Sequence, residues 1–302
     1  MLVLVTLAVI DYGLYRVLQP QDYGGEGVIA GTAGDLGRIV LHFDLGDACM
    51  FYGCPAISEI WLRSWAAYLY LLAGGLIIGV TAGISGAVWC ATRPRSLSAR
   101  VLESAATLFY VMPVYLVGFG VLLLFEPSFG AFPLPFFFHP IDYEAPLANP
   151  WDFVRSMVVP WLVVAAPFGA VCLRLTLAAI TDVLDTDYVR TAEAKGLSRR
   201  QVVRGHAAPS AYISLSSLIG VWVPTFVTNM VLVEYVLFIP GFFAHTKRAL
   251  GQVPTEPPVY DIPMLQALAL WAAGLVVIVS TLADLVLVLL DPRVRAAGRP
   301  PG

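Results

Sequence analysis

The chain has 302 residues, 58% of them hydrophobic and only 13% charged, against roughly 45–50% apolar and about 25% charged in an ordinary soluble domain. A water-soluble globule of this size has too little polar surface to cover so much apolar side chain, so that class is excluded. The formal charge of −3 offers no basic field for nucleic acid, and four cysteines without a C-x-x-C, H-E-x-x-H or Cys/His cluster exclude a disulfide scaffold and propose no metal site.

The apolar residues fall in six stretches, at 1–19, 67–91, 101–125, 157–180, 210–238 and 264–290. Each is near the ~20 residues that cross a bilayer core at a rise of about 1.5 Å per residue. The predicted fold class is therefore an all-α integral membrane protein of about six transmembrane helices. The first stretch contains Asp11 and Arg16 and no basic residues precede it; it lacks the charged n-region of a signal peptide and reads as a spanning helix.

Residues 20–66 follow, with a glycine-rich run from Gly24 to Gly37. A phosphate-binding loop fails there, because no strand precedes the run and the only lysines, Lys195 and Lys247, are not followed by Ser or Thr. Such a chain carries no ATP-binding loop of its own, and its energy comes from another subunit or from an ion gradient. Cys49 and Cys54 share this segment, with a small disulfide ring and two unpaired thiols as alternatives; Cys90 and Cys172 fall inside spans and read as packing residues.

Orientation follows from the arginines and lysines. Arg93, Arg95 and Arg100 lie between spans two and three, Arg190, Lys195, Arg199, Arg200 and Arg204 between four and five, and Arg293, Arg295 and Arg299 after span six. The positive-inside rule makes these segments, and with them both termini, cytoplasmic. The opposite face, residues 20–66, 126–156 and 239–263, reads as irregular caps, with an anchoring aromatic run at Phe132, Phe136, Phe137 and Phe138.

The segment from Thr181 to Pro209 has a helix grammar that a passive connector does not need. Asp185, Thr186 and Asp187 offer N-cap oxygens and first-turn negative charge, and Lys195 the complementary charge at the end. Gly196 stops this helix in the left-handed conformation, with Leu197 as the apolar contact beyond it. Ser198 and Gln201 then form a capping box that opens a second helix through Arg204 toward Pro209. Small Ala192 and Ala194 just before Lys195 allow a partner to approach closely.

The run from Asp187 through Tyr188, Val189, Arg190, Thr191, Ala192, Glu193, Ala194, Lys195, Gly196 and Leu197 to Ser198 resembles the cytoplasmic coupling loop of ABC-importer permeases of the dipeptide, oligopeptide and nickel type. His206 and Pro209 continue that pattern, and Arg174-Leu175-Thr176, Glu234, Asp284 and the terminal Asp291-Pro292-Arg293-Val294-Arg295 are similar to the B-type permease subunit of peptide importers. The resemblance implies a type I importer permease fold, with a first span and loop at 1–66, a core at 67–296 and the coupling loop at 181–209, all in one permease domain. It implies four kinds of partner: a second homologous permease, two ATP-binding cassette ATPases gripping the loops, an extracytoplasmic solute-binding protein, and membrane lipid. This chain is then a transport subunit of a prokaryotic cytoplasmic membrane, not an enzyme, with no catalytic residue, cofactor or metal of its own; ATP and magnesium belong to the ATPase. The implied ATPase-contact and corner residues are Asp187, Tyr188, Arg190, Ala192, Ala194, Lys195, Gly196 and Leu197.

Arg174, Glu234 and Asp284 are candidate charges at membrane depth, where pathway or helix-pairing roles are the default. Glu234 and Asp284 also define the alternative, a secondary transporter driven by an ion gradient. That reading needs inverted repeats and broken mid-membrane helices, and no convincing repeat relates the two halves.

Overall fold

A computed structural model describes residues 28–42, 44–48, 54–134, 148–239, 241–250 and 260–290, with isolated positions besides. Most of the expected first span, with Asp11 and Arg16, and Cys49, Phe136 to Phe138 and the terminal run 291–295 lie outside the described residues. Every regular element among those described is helical: α1 (Val28–Gly37), α2 (Ile57–Thr92), α3 (Leu97–Val111), α4 (Val114–Phe125), α5 (Pro150–Leu184), α6 (Asp187–Ala194), α7 (Arg199–Val202), α8 (Ala208–Val236), α9 (Thr246–Ala249) and α10 (Ile262–Leu290). Single π turns follow α1 and α7.

Helices α2 and α5 are long and apolar enough to cross a membrane, as is α10 over Ile262–Leu282. Helix α8 covers the fifth expected stretch. The third expected stretch is not one straight helix, because α3 and α4 meet at an angle of 109°. Pro113 has no N–H to continue the ladder, and its ring drives the preceding residue out of the helical region. Met112 accordingly sits at φ −75°, ψ 125°.

The long helices begin earlier than their apolar stretches. Helix α2 starts ten residues ahead of 67, its first turns carrying an Arg63–Glu59 ion pair. Helix α5 starts at Pro150, with Asn149 as N-cap and an Arg155–Asp152 pair at 3.6 Å. These amphipathic turns carry too much charge for a hydropathy reading. Residues 28–42, expected as irregular cap, are helical as well; Asp35 and Arg38 bridge successive turns at 2.5 Å.

Internal contacts divide the chain into a unit of residues 1–69 and 238–278 and a unit of 70–237 and 279–302. In the first, Ile57 N–H donates to Gly46 O at 3.0 Å. The Trp271 ring there meets Trp61, Tyr68 and Phe242 edge-on.

In the second unit α5 is central: 72% of its apolar window is buried, against 28% in α2 and in α10. Helices α3 and α8 pack along it. The backbones of α2 and α5 cross at glycines, the device by which membrane helices approach closely. A Cβ on Gly83 would stand 2.5 Å from Cys172 Cβ and 2.6 Å from Gly169 O, and one on Gly74 2.2 Å from the Trp161 ring. Trp161 fixes this crossing by donating its indole N–H to Tyr70 O at 2.9 Å.

Gly83→Val therefore overpacks the crossing and destabilises the unit by about 1–3 kcal/mol. The purified protein loses monodispersity at a lower temperature, whereas Gly120→Ala, whose added Cβ meets nothing within 4 Å, leaves the midpoint near wild type.

Candidate functional site

The loop that joins α5 to α8 folds as its local sequence directs, with one difference at its start. The Thr186 hydroxyl turns back to donate to Val183 O at 2.6 Å, while its carbonyl accepts from the amides of Val189 and Arg190 at 3.1 Å each. Helix α6 ends in a Schellman arrangement: Gly196 lies at φ +85°, and Leu197 N–H reaches back to Ala192 O at 3.4 Å. Ser198 and Gln201 form the expected capping box, the Ser198 N–H donating to Gln201 Oε1 at 2.9 Å.

Two apolar clusters hold the loop against the bundle. Val189, Ala192 and Val202 are buried together, with Val183, Leu184 and Leu197 packed around them. Val203, Ala207 and Ala208 join Ile180 of α5 and Ala91 of α2 in the second. Ala192, expected as a place for a partner to approach, thus faces its own chain and serves the packing of α6 on α7.

Arg199 had no assigned role in the sequence, where it is one of several basic residues. Its Nε donates to Ala91 O at 2.9 Å, placing a cation on the last carbonyls of α2 where the helix dipole favours one. Tyr188 Oη donates to His206 O at 3.3 Å and bridges the two ends of the loop. The surface left outward carries Asp187, Tyr188, Arg190, Ala194, Lys195 and Gly196, all exposed. Asp187 and Arg190 pair across one turn at 3.7 Å.

The candidate charges named for membrane depth separate. Glu234 is turned inward, 1% exposed. Asp284 lies on α10 with its side chain outside the described residues. Arg174 is exposed on α5, donates from Nη1 to Thr107 Oγ1 at 3.2 Å and lies 5.0 Å from the centre of the Tyr110 ring. Cys54 is an exposed free thiol, and the other residue of the two alternatives weighed above, Cys49, lies outside those described.

The bend between α3 and α4 opens a cavity of about 200 Å³, lined among others by Tyr110, Met112, Pro113, Phe168, Trp222 and Asn229. Non-helical backbone at membrane depth is tolerated where it is buried in protein or lines a cavity. Sequence reasoning missed this feature although the signal, a proline inside an apolar run, was there to be used.

With this geometry in hand, residues 75–296 match the family of binding-protein-dependent transport system inner membrane components. The chain belongs to that family. Similar proteins include a probable peptide ABC transporter permease of Sinorhizobium fredii, 27% identical over 256 residues that cover 85% of this chain and 77% of the relative. The dipeptide transport system permease protein of Haemophilus influenzae is 27% identical, covering 80% of this chain and 71% of that protein. The oligopeptide transport system permease protein of Bacillus subtilis is 26% identical, covering 86% and 78%. The chain is accordingly a multi-pass inner-membrane permease subunit of an ABC importer, and it works in a complex with other subunits.

A Cβ at Gly196 meets nothing within 4 Å, so a side chain there costs backbone strain alone, about 1–2 kcal/mol. Gly196→Ala is expected to speed amide hydrogen exchange across 187–202 roughly tenfold, and Gly196→Asn, better tolerated in the left-handed region, by less.

Proposed function

We propose that this chain forms half of the translocation pathway of an ATP-driven peptide importer and couples to a separate ATPase through the 181–209 loop. Peptide as cargo is supported by the names of its relatives, which describe peptide, dipeptide and oligopeptide permeases. Docking is supported chiefly by the loop's construction: its apolar residues are spent on fixing it to α5 and α2, and its outward face presents Asp187, Tyr188, Arg190, Ala194, Lys195 and Gly196.

A loop held in this way transmits force. When the ATPases close on ATP, a rigid element between them and the ends of α5 and α8 carries the displacement into the bundle, whereas a flexible one absorbs it. The complex comprises this chain, a second homologous permease, two ATPases that use the ATP and magnesium, and a solute-binding protein outside. The loop and both termini face the cytoplasm of a prokaryotic cell, in keeping with the basic residues on that side. The ion-gradient alternative has no support among the relatives.

The test is co-purification of the tagged chain with its ATPase subunits, and uptake by the assembled transporter. Ala194→Arg places a long cation on the exposed face without entering the loop's own packing and is expected to reduce recovered ATPase at least tenfold. The change Ala192→Arg is the poorer test, because it disrupts the cluster with Val189 and Val202. Undiminished ATPase recovery and normal uptake with Ala194→Arg would overturn docking through this face.

A further inference from the structure

Arg174 stands ten residues before the end of α5 at Leu184, about 15 Å of helix rise from it. The apolar stretch 157–180 to which it belongs ends six residues on, about 9 Å of helix rise, and its side chain is exposed on the chain by itself. A guanidinium within an apolar stretch is costly to leave in lipid, and this one is held by protein groups. Among the described residues no carboxylate pairs with it; its contacts are the Thr107 hydroxyl and the Tyr110 ring.

Tyr110 is also a wall of the cavity at the α3–α4 bend, and Val171, one turn before Arg174 on the same face of α5, is another. The Trp222 ring meets Tyr110 edge-on at 6.0 Å and lines the same space with Phe226, Thr225 and Asn229. One continuous surface thus runs from a cation with no carboxylate partner among the described residues, over two aromatic rings, to an amide and a hydroxyl.

We propose that this surface is a subsite for the C-terminal end of a peptide in transit, a reading that rests on peptide as the cargo. Arg174 takes the terminal carboxylate, its planar fork matching the two oxygens. Tyr110 and Trp222 take an apolar or aromatic side chain, and Asn229 and Thr225, each able to donate or accept, serve a backbone amide. An N-terminal ammonium does not suit the place, because the only charge among the residues named is positive. The aromatic and amide wall gives little sequence selectivity, as a carrier of varied peptides requires, and the cation selects for the one charged group that every unmodified peptide carries at that end.

The experiment uses the full transporter in proteoliposomes, with its binding protein and ATPases, and two probes: alanyl-phenylalanine and the same dipeptide amidated at its C-terminus. The binding protein is common to every arm, so its own preference cancels in the comparison of each variant with wild type. Arg174→Gln is expected to lower the ratio of free-carboxylate to amide uptake roughly tenfold, the scale of one charge-assisted contact. Arg174→Lys, which keeps charge without the fork, is expected to give an intermediate ratio, and it carries the test should Arg174→Gln not assemble. A parallel loss of both probes makes Arg174 a helix-pairing residue and overturns the subsite, as does an unaltered ratio with undiminished uptake. Uptake of neither probe by wild type overturns the peptide reading first, and the subsite with it.

Discussion

Inside a bilayer a peptide group has no water to bond to, so the chain must close its hydrogen bonds within helices or within protein. This constraint shapes the parts described here. Polar side chains along the helices obey it too: Thr81 and Ser85 return their hydroxyls to Ile77 O and Thr81 O, and Thr107 to Glu103 O. Where the ladder is interrupted, at Met112 and Pro113, the broken backbone lines a cavity walled by other helices. A single proline thereby creates the concave, partly polar surface that an otherwise apolar helix would not offer.

The loop outside the bundle solves a different problem. Helices of eight and four residues are too short to hold themselves together in water, where nucleation is unfavourable. A capping box and a Schellman turn contribute on the order of 1 kcal/mol each. Complete burial of Val189, Val202 and Val203 contributes about 1.5–3 kcal/mol apiece as an upper estimate. Burial dominates, so the loop is stable because it is fastened to α5 and α2, and the fastening is what gives it stiffness.

Much of this was legible in the sequence, and the pattern of success has a physical reason. The stop at Gly196, the restart at Ser198 and the contact of Leu197 depend on neighbours within six residues, and the local rules suffice. Helix α8 was legible from its apolar length. The early starts of α2 and α5 were not, because a hydropathy window discards amphipathic turns held by pairs such as Arg63–Glu59. The bond from Arg199 to Ala91 O spans more than a hundred residues and has no local signature. Ala192 was misjudged for the same reason: its small size was visible, the direction in which it points was not. Pro113 was the avoidable omission, since the rule that breaks the helix there is itself local.

The proposed docking sets the outward face of α6 against the ATPase. A photo-cross-linking amino acid at Ala194 of the assembled transporter, with one at exposed Phe129 as control, tests this directly. A cross-link to the ATPase is expected from position 194 and none from 129. A cross-link absent at 194 in a complex that hydrolyses ATP and imports its cargo would contradict this docking.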